Sequence, residues 1–259
     1  MKAIIIAAGP CKRLRPLTDD LPKCMLHING KPILQNTLEL LREKGIRDIS
    51  VIRGYKKEKI NFPSITYFEN TDFWNNNILH SLLFARPKLE EANEKREHVI
   101  VSYSDIWYDA SVLNALWEKE GDIVSTIDIN WLQHYDGRTN HPLQEAEKVI
   151  LDENDNIVRI GKHILLEELP ENRHGEFIGL WKFSPQGIHI FLRHFDRVHA
   201  LLKMTDPHQH ASEWQKSYIT DMFQELIDQG ERLDCARIKE NWAEFDTVQD
   251  FMLANGTNR

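Results

Sequence analysis

The chain lacks an apolar run approaching the roughly 18–20 residues that cross a bilayer. Its apolar start, Met1 to Gly9, is too short for a signal-peptide core plus cleavage site and reads as a strand. Cysteine is scarce, three of 259 residues with no CxxC pair. That excludes a disulfide framework and fits a reducing cytosol. Cys11, Cys24 and His27 lack a fourth partner at zinc-site spacing. Positive charge is also in deficit, with 32 Lys+Arg against 40 Asp+Glu and a net charge of −8. A long polyanion such as DNA is therefore repelled by the chain as a whole. There is no Gly-Lys-Ser/Thr phosphate loop, no Gly-x-Gly-x-x-Gly fingerprint, no repeat and no low-complexity stretch. The expectation is a cytoplasmic protein with neither a membrane nor a nucleic-acid partner.

What is present is ordinary in bulk and uneven in detail. Apolar residues make up 41% and charged residues 28%, close to the average for a globular protein, and the length allows a sizeable core. Residues 1–31 carry Lys2, Lys12, Arg13, Arg15, Lys23 and Lys31 against Asp19 and Asp20, a net +4, leaving −12 for the rest. A basic island on an acidic chain suits a small anion, or is simply a solvated basic loop.

The run Lys2–Ala8 has the pattern of a parallel strand buried on both faces. Gly9-Pro10 breaks it, and a helix follows from Pro32 to Gly45. Strands are expected at 48–53, 65–68 and 98–103, with helices over 76–85 and 110–117. This alternation implies right-handed βαβ crossovers. The second half differs. Val149–Leu151 and Ile157–Ile160 flank a turn-rich segment, a hairpin signal, and then come a strand over 176–183, helices over 185–202 and 217–229, a strand over 233–238, a segment at 242–246 and a last helix. The predicted fold is α/β: a Rossmann-like, mostly parallel mixed sheet with helices on both faces and a small β-rich insertion lobe in the second half, in one domain over residues 1–259.

The loop after the first strand reads Ala7-Ala8-Gly9-Pro10-Cys11-Lys12-Arg13-Leu14-Arg15-Pro16-Leu17-Thr18, then Leu21-Pro22-Lys23. Ligands of open parallel sheets sit beyond the carboxyl ends of the strands. A glycine there lets backbone N–H groups approach a phosphate, Arg13 offers a forked donor and Lys23 a point charge.

This segment resembles the N-terminal motif of sugar-1-phosphate and related nucleotidyltransferases, Ala-Ala-Gly-x-Gly-x-Arg-Leu-x-Pro-Leu-Thr followed by Pro-Lys. The resemblance implies that Ala7, Ala8, Gly9, Pro10, Cys11, Lys12, Arg13 and Lys23 hold a nucleoside triphosphate, with Ser104 beside it, and that residues 1–130 form the nucleotide-binding half and 131–259 the acceptor-binding half. Cys11 replaces the second glycine of the motif; if that position demands φ > 0, strain of about 1 kcal/mol follows. Ser104-Asp105 after a strand, and Asn241 to Thr247, resemble the family's two carboxylate-bearing segments. They imply Mg²⁺ held by Asp105 and Asp246, with Lys23, Arg13 and Asp105 as the catalytic group. The residues alone also allow Asp105 to cap the helix at 110 and Asp246 to cap the last helix. In this chemistry an acceptor phosphate, already anionic because its second pKa is about 6, attacks the α-phosphorus without a general base. None of the 12 histidines is then required.

The middle of the chain, Glu69-Asn70, Trp74 to Asn77 and Ser81-Leu82, looks like the cytidylyltransferases for phosphocholine, 2-aminoethylphosphonate and phosphoglutamine. This implies CTP as co-substrate, with Asn76 and Ser81 near the nucleotide and Gly54 and Tyr55 at its pyrimidine, though Tyr55 also reads as an ordinary strand-end aromatic. Residues 99–108, Asp128 with Trp131, the run Glu176 to Phe183 including Trp181, and Asn241 to Asp246 including Trp242 and Glu244 resemble enzymes acting on phosphoglutamine in capsule modification. Seven tryptophans and the carboxylates of Asp128, Glu145, Glu147, Glu176 and Glu244 could form a cage for an amine. Core packing accounts equally well for any single tryptophan. Tyr218 completes the expected acceptor side. The alternatives are a hexose-1-phosphate thymidylyl- or uridylyltransferase and a nucleotide-binding homologue without turnover; a homodimer fits the family.

Overall fold

The structure, a computed structural model, describes residues 1–255. The chain order is β1 (Lys2–Ala7), β2 (His27–Ile28), β3 (Lys31–Pro32), α1 (Ile33–Glu43), β4 (Asp48–Arg53), β5 (Thr66–Glu69), α2 (Ile78–Leu82), α3 (Arg86–Glu94), β6 (Val99–Tyr103), β7 (Ile106–Tyr108) and α4 (Ala110–Glu118). Then follow β8 (Ile123–Asp128), β9 (Lys148–Leu151), β10 (Ile157–Gly161), β11 (His174–Phe183), α5 (Pro185–Leu201), α6 (Ile219–Asp228), β12 (Asp234–Ile238), β13 (Trp242–Glu244) and α7 (Val248–Ala254).

β1 is the centre of the sheet because it is apolar on both sides. Ala3, Ile5 and Ala7 pack with α1 and α4, and Ile4 and Ile6 pack with α2, α3, α5 and α6. Such a strand suits a parallel sheet covered on both faces. β1 pairs in parallel with β4 and β6, and β5 adds to β4. β11 runs antiparallel to both β6 and β8, and β12 is parallel to β8. The sheet is mixed and mostly parallel, as expected.

β11 also makes the sheet fork. Leu180–Phe183 pair with β6, whereas His174–Glu176 pair with β9, which pairs with β10. The β-rich insertion is therefore this hairpin, joined to the main sheet through β11, and the preceding 129–147 loop. At the fork β11 has a register irregularity between Phe177 and Trp181, with Gly179 at φ +80°. A Cβ there would lie 2.3 Å from the ring of Tyr103, so the position needs glycine for both backbone and space.

Five elements, α3, β8, β2, β3 and the short β7, had no counterpart in the sequence expectation. α3 buries only Leu89 and Ala92, too thin an apolar stripe to announce a helix. β8 is fully buried but carries Ser125, Thr126 and Asp128, which dilutes its apolar pattern. β2 and β3 form a two-residue ribbon.

Candidate active site

A cleft of about 500 Å³ opens at the carboxyl ends of β1 and β6, in the notch where β11 diverges from β6. One wall is the loop after β1. Leu14 anchors it by packing fully buried with Leu26, Ile28, Ile33 and Phe245. Thr18 Oγ1 donates to Cys11 O at 2.6 Å, and Tyr55 Oη donates to the carbonyls of Thr18 and Asp19. Cys11 has φ −81°, an ordinary value. The strain expected from replacing the motif's glycine is absent, because the loop turns without a left-handed residue there.

Asp105 follows β6, and Asp246 lies 141 residues further on. The antiparallel pairing of β7 with β13 (Trp242 with Tyr108, Glu244 with Ile106) brings them together. Lys23 Nζ joins them, bonding Asp105 Oδ2 at 2.8 Å and Asp246 Oδ1. Arg13 donates to Asp246 Oδ2 at 2.5 Å. Neither aspartate is a helix cap: Asp109 caps α4 and Thr247 caps α7. Asp250, in the first turn of α7, accepts from Asp246 N, Thr247 N and Arg138 Nε.

These contacts set the charges. Burial pulls the Lys23 pKa down, but Asp105 and Asp246 more than offset it, so the ammonium stays charged. Burial pushes Asp246 up, yet Lys23 and Arg13 hold it well below the usual carboxylate range. Glu244 is driven well above that range by burial and then by Asp246. Burial lowers His141 to about 4, so its imidazole is neutral near pH 7.

The opposite wall is acidic. Burial pushes Glu147 and Glu176 up to about 7. Thr220 Oγ1 donates to Glu147 at 2.9 Å, and Tyr135 Oη donates to Glu176 at 2.5 Å. Lys162 pairs with Glu145 Oε2 at 3.0 Å and lies over the Tyr218 ring at 4.5 Å.

Of the residues singled out in the sequence, Ala7, Ala8, Gly9, Pro10, Cys11, Arg13, Lys23, Asn76, Ser81, Ser104, Asp105, Glu145, Glu176, Tyr218, Trp242, Glu244 and Asp246 line the cleft, and so does Glu147. Asn76 and Ser81 are joined through Asn70 in a side-chain network. Six others do not line it. Lys12 points outward, 5.6 Å over Trp74. Gly54 lies under the loop, where a Cβ would be 2.7 Å from Ala8 O, and Tyr55 braces that loop from outside. Asp128 is fully buried and bound by Trp242 Nε1, Asn130 N and His134. Trp131, hydrogen-bonded to His174, and Trp181, among Phe177, Phe183 and Phe223, are core side chains. The tryptophan cage does not form; Trp242 alone of the seven reaches the cleft.

Asn77, Tyr103 and Phe177, which stand in the quoted segments without an assigned role, also line the cleft, and so do His141 and Lys162, which sequence reasoning passed over. Lys162 and His141 stand in no motif. They arrive through the hairpin and the 129–147 loop, and only the tertiary path places them.

A cleft of charged side chains at the carboxyl ends of a doubly covered, mostly parallel sheet lies where proteins of the open α/β class bind small ligands. Residues 2–129 match the family described as nucleotidyl transferase. The CTP:phosphoglutamine cytidylyltransferase of Campylobacter jejuni is 30% identical over 255 residues, covering 96% of this chain and 97% of that protein. The choline-phosphate cytidylyltransferase of Streptococcus pneumoniae is 40% identical over 93 residues, 34% of this chain and 41% of that protein. A solved structure of the CTP:phosphocholine cytidylyltransferase of S. pneumoniae has the same fold, with a TM-score of 0.71 at 20% identity, covering 100% of this chain and 99% of the other. The chain belongs to the nucleotidyl transferase family, and its relatives include cytidylyltransferases.

Proposed function

We propose that the protein transfers the cytidylyl group of CTP to a small phosphorylated or phosphonate acceptor bearing an amine, with release of pyrophosphate. The observation that carries this is Lys23 lying between Asp105 and Asp246 beside the Gly9–Arg13 loop. An acceptor oxygen bonds to the α-phosphorus, the bond to the β-phosphate oxygen breaks, and its electron pair leaves with pyrophosphate. The acceptor oxygen is already ionised, so the protein's task is to position two anions and neutralise charge. Arg13 and Lys23 supply cations, and backbone N–H groups of the loop face the phosphates.

The donor set fits Mg²⁺: Asp105 Oδ1 is buried with no hydrogen-bond partner, and Asp105 and Asp246 share the Lys23 ammonium. Bound there, the ion would neutralise phosphate charge and fix the triphosphate. On the acceptor side Glu147, Glu176 and Glu244 present carboxylates to an ammonium, and Lys162 meets a negative group. Asn76 and Ser81 lie on the nucleotide side.

The test is a thermal-shift panel of CTP, UTP, dTTP, ATP and GTP with Mg²⁺, followed by pyrophosphate release with CTP and phosphorylated amines. CTP should give the largest shift. Asp105→Ala and Asp246→Ala should lower turnover at least about 100-fold, roughly 2.7 kcal/mol, and Cys11→Gly should retain it. Preference for UTP or dTTP, or full turnover in Asp105→Ala, overturns the proposal. Equal binding of a neutral acceptor analogue removes the ammonium assignment alone.

A further inference from the structure

Asp246 turns its two oxygens to different neighbours. Oδ1 meets Lys23, on the side of Asp105. Oδ2 faces His141, whose Nδ1 is 3.5 Å away, and His141 Nε2 is in turn 4.0 Å from Glu244 Oε2. One donor atom from each of His141, Glu244 and Asp246 lies within 4.8 Å of the others. Donors held at about 2.0–2.2 Å by one ion stand at most roughly 4.4 Å apart, so a single small cation fits once the three side chains draw together by several tenths of an ångström.

The second observation is the imidazole itself. His141 is 3% exposed, and its Nδ1, which faces Asp246 Oδ2, has no hydrogen-bond partner. Buried polar groups are normally paired, and an orphan nitrogen aimed at a carboxylate calls for a ligand. Nothing in the transfer reaction uses this nitrogen. The loop that carries it is held in place: Arg138 bonds Asp250, and the backbone N–H groups of Thr139 and Asn140 donate to Gln249 Oε1. The imidazole is therefore presented to the carboxylates by an ordered segment.

We propose that His141, Glu244 and Asp246 Oδ2 form a second divalent-cation seat, distinct from the Asp105 side of Asp246. One imidazole and two carboxylates favour a first-row transition ion over Mg²⁺, because nitrogen donors follow the Irving–Williams order and Mg²⁺ prefers oxygen. Arg13 is the basic side chain now on Oδ2, and it is 46% exposed on its side chain, so it can swing out to a phosphate when the cation enters. Asp246 would then bridge the two seats. The proposal does not depend on which nucleotide or acceptor is used.

The experiment is Co²⁺ titration of the metal-free, nucleotide-free chain by calorimetry, with proton NMR of the same samples. The expected result is one site whose occupation brings a strongly paramagnetically shifted imidazole N–H resonance, with Mg²⁺ at tenfold excess failing to displace it. His141→Gln should abolish that resonance and weaken Co²⁺ at least tenfold, and Glu244→Gln should weaken it similarly. Asp105→Asn should keep the resonance while losing Mg²⁺-dependent nucleotide binding. Absence of the shifted resonance in the unsubstituted protein, its persistence in His141→Gln, or equal competition by Mg²⁺ overturns the proposal. The first of these needs no variant to fold. Loss of CTP turnover in the acceptor panel would strike the transfer reaction and leave this seat standing.

Discussion

Lys23 is buried, and its ammonium touches both Asp105 and Asp246. Removing one partner of a buried pair leaves the others desolvated and uncompensated, at a cost of about 3 kcal/mol or more. Lys23→Met should therefore lower stability in urea melts and, on the proposed function, reduce kcat/KM for pyrophosphate release by at least about 100-fold. Unchanged melting would mean that the two carboxylates do not depend on the ammonium.

Glu147 offers a pH test of opposite character to Asp246. Its carboxyl is raised from 4.5 to about 7 by burial, so the folded protein holds that proton longer than the unfolded chain does. Stability then falls as pH rises from about 4.5 to 7, because the folded state must ionise a buried group. Glu147→Gln mimics the protonated form. Its Tm should match that of the unsubstituted protein near pH 4.5 and exceed it at pH 8; parallel Tm–pH curves would refute the assignment. A ligand ammonium placed against Glu147 would reverse the shift and release protons on binding.

Among the elements, β11 decides the shape of the cleft. Its fork leaves Glu176, Phe177 and Ile178 facing the notch, and Gly179 permits the irregularity because its φ is +80° and Tyr103 fills the space a side chain would need. Gly179→Ala combines left-handed strain with overpacking, together about 2–4 kcal/mol. For a chain of this size that lowers Tm by roughly 5–10 °C, and differential scanning calorimetry would register it. The fork explains why the hairpin signal was legible while its consequence was not. The turn between β9 and β10 is local chemistry, but the partner exchange of β11 is a matter of tertiary register. α7 teaches the same point. Asp246 looked able to cap it, yet Thr247 and Asp250 form the cap, and Asp250 also holds Asp246 N. That leaves the Asp246 carboxylate free to face the cleft.

For the whole molecule, charge division matters more than net charge. Of the six basic residues in 1–31, Arg13 and Lys23 reach one wall of the cleft, Lys2 pairs with Asp48, Glu91 and Glu97 at the far end of β1, and Glu145, Glu147 and Glu176 from the acidic remainder line the opposite wall. A small polyanion with a cation should bind there and stabilise the folded state by mass action. Magnesium pyrophosphate at about 100 times its Kd should add about 2.7 kcal/mol, a Tm rise of roughly 5–10 °C, diminished at high salt. No rise would refute an anion site at the basic wall.

The sequence by itself determined what short-range patterns encode: a doubly buried first strand, the loop after it with Arg13 and Lys23, the α/β alternation, and the family to which these belong. Local spacing carries such features because strand period, turn residues and a contiguous loop are read over a few positions. Only the tertiary structure decided that Asp128, Trp131 and Trp181 are core, that Tyr55 props a loop from outside, and that His141 and Lys162 enter the cleft. Those outcomes depend on which edge of β11 each strand takes and on how β7 meets β13 across more than a hundred residues, and no local pattern encodes that choice.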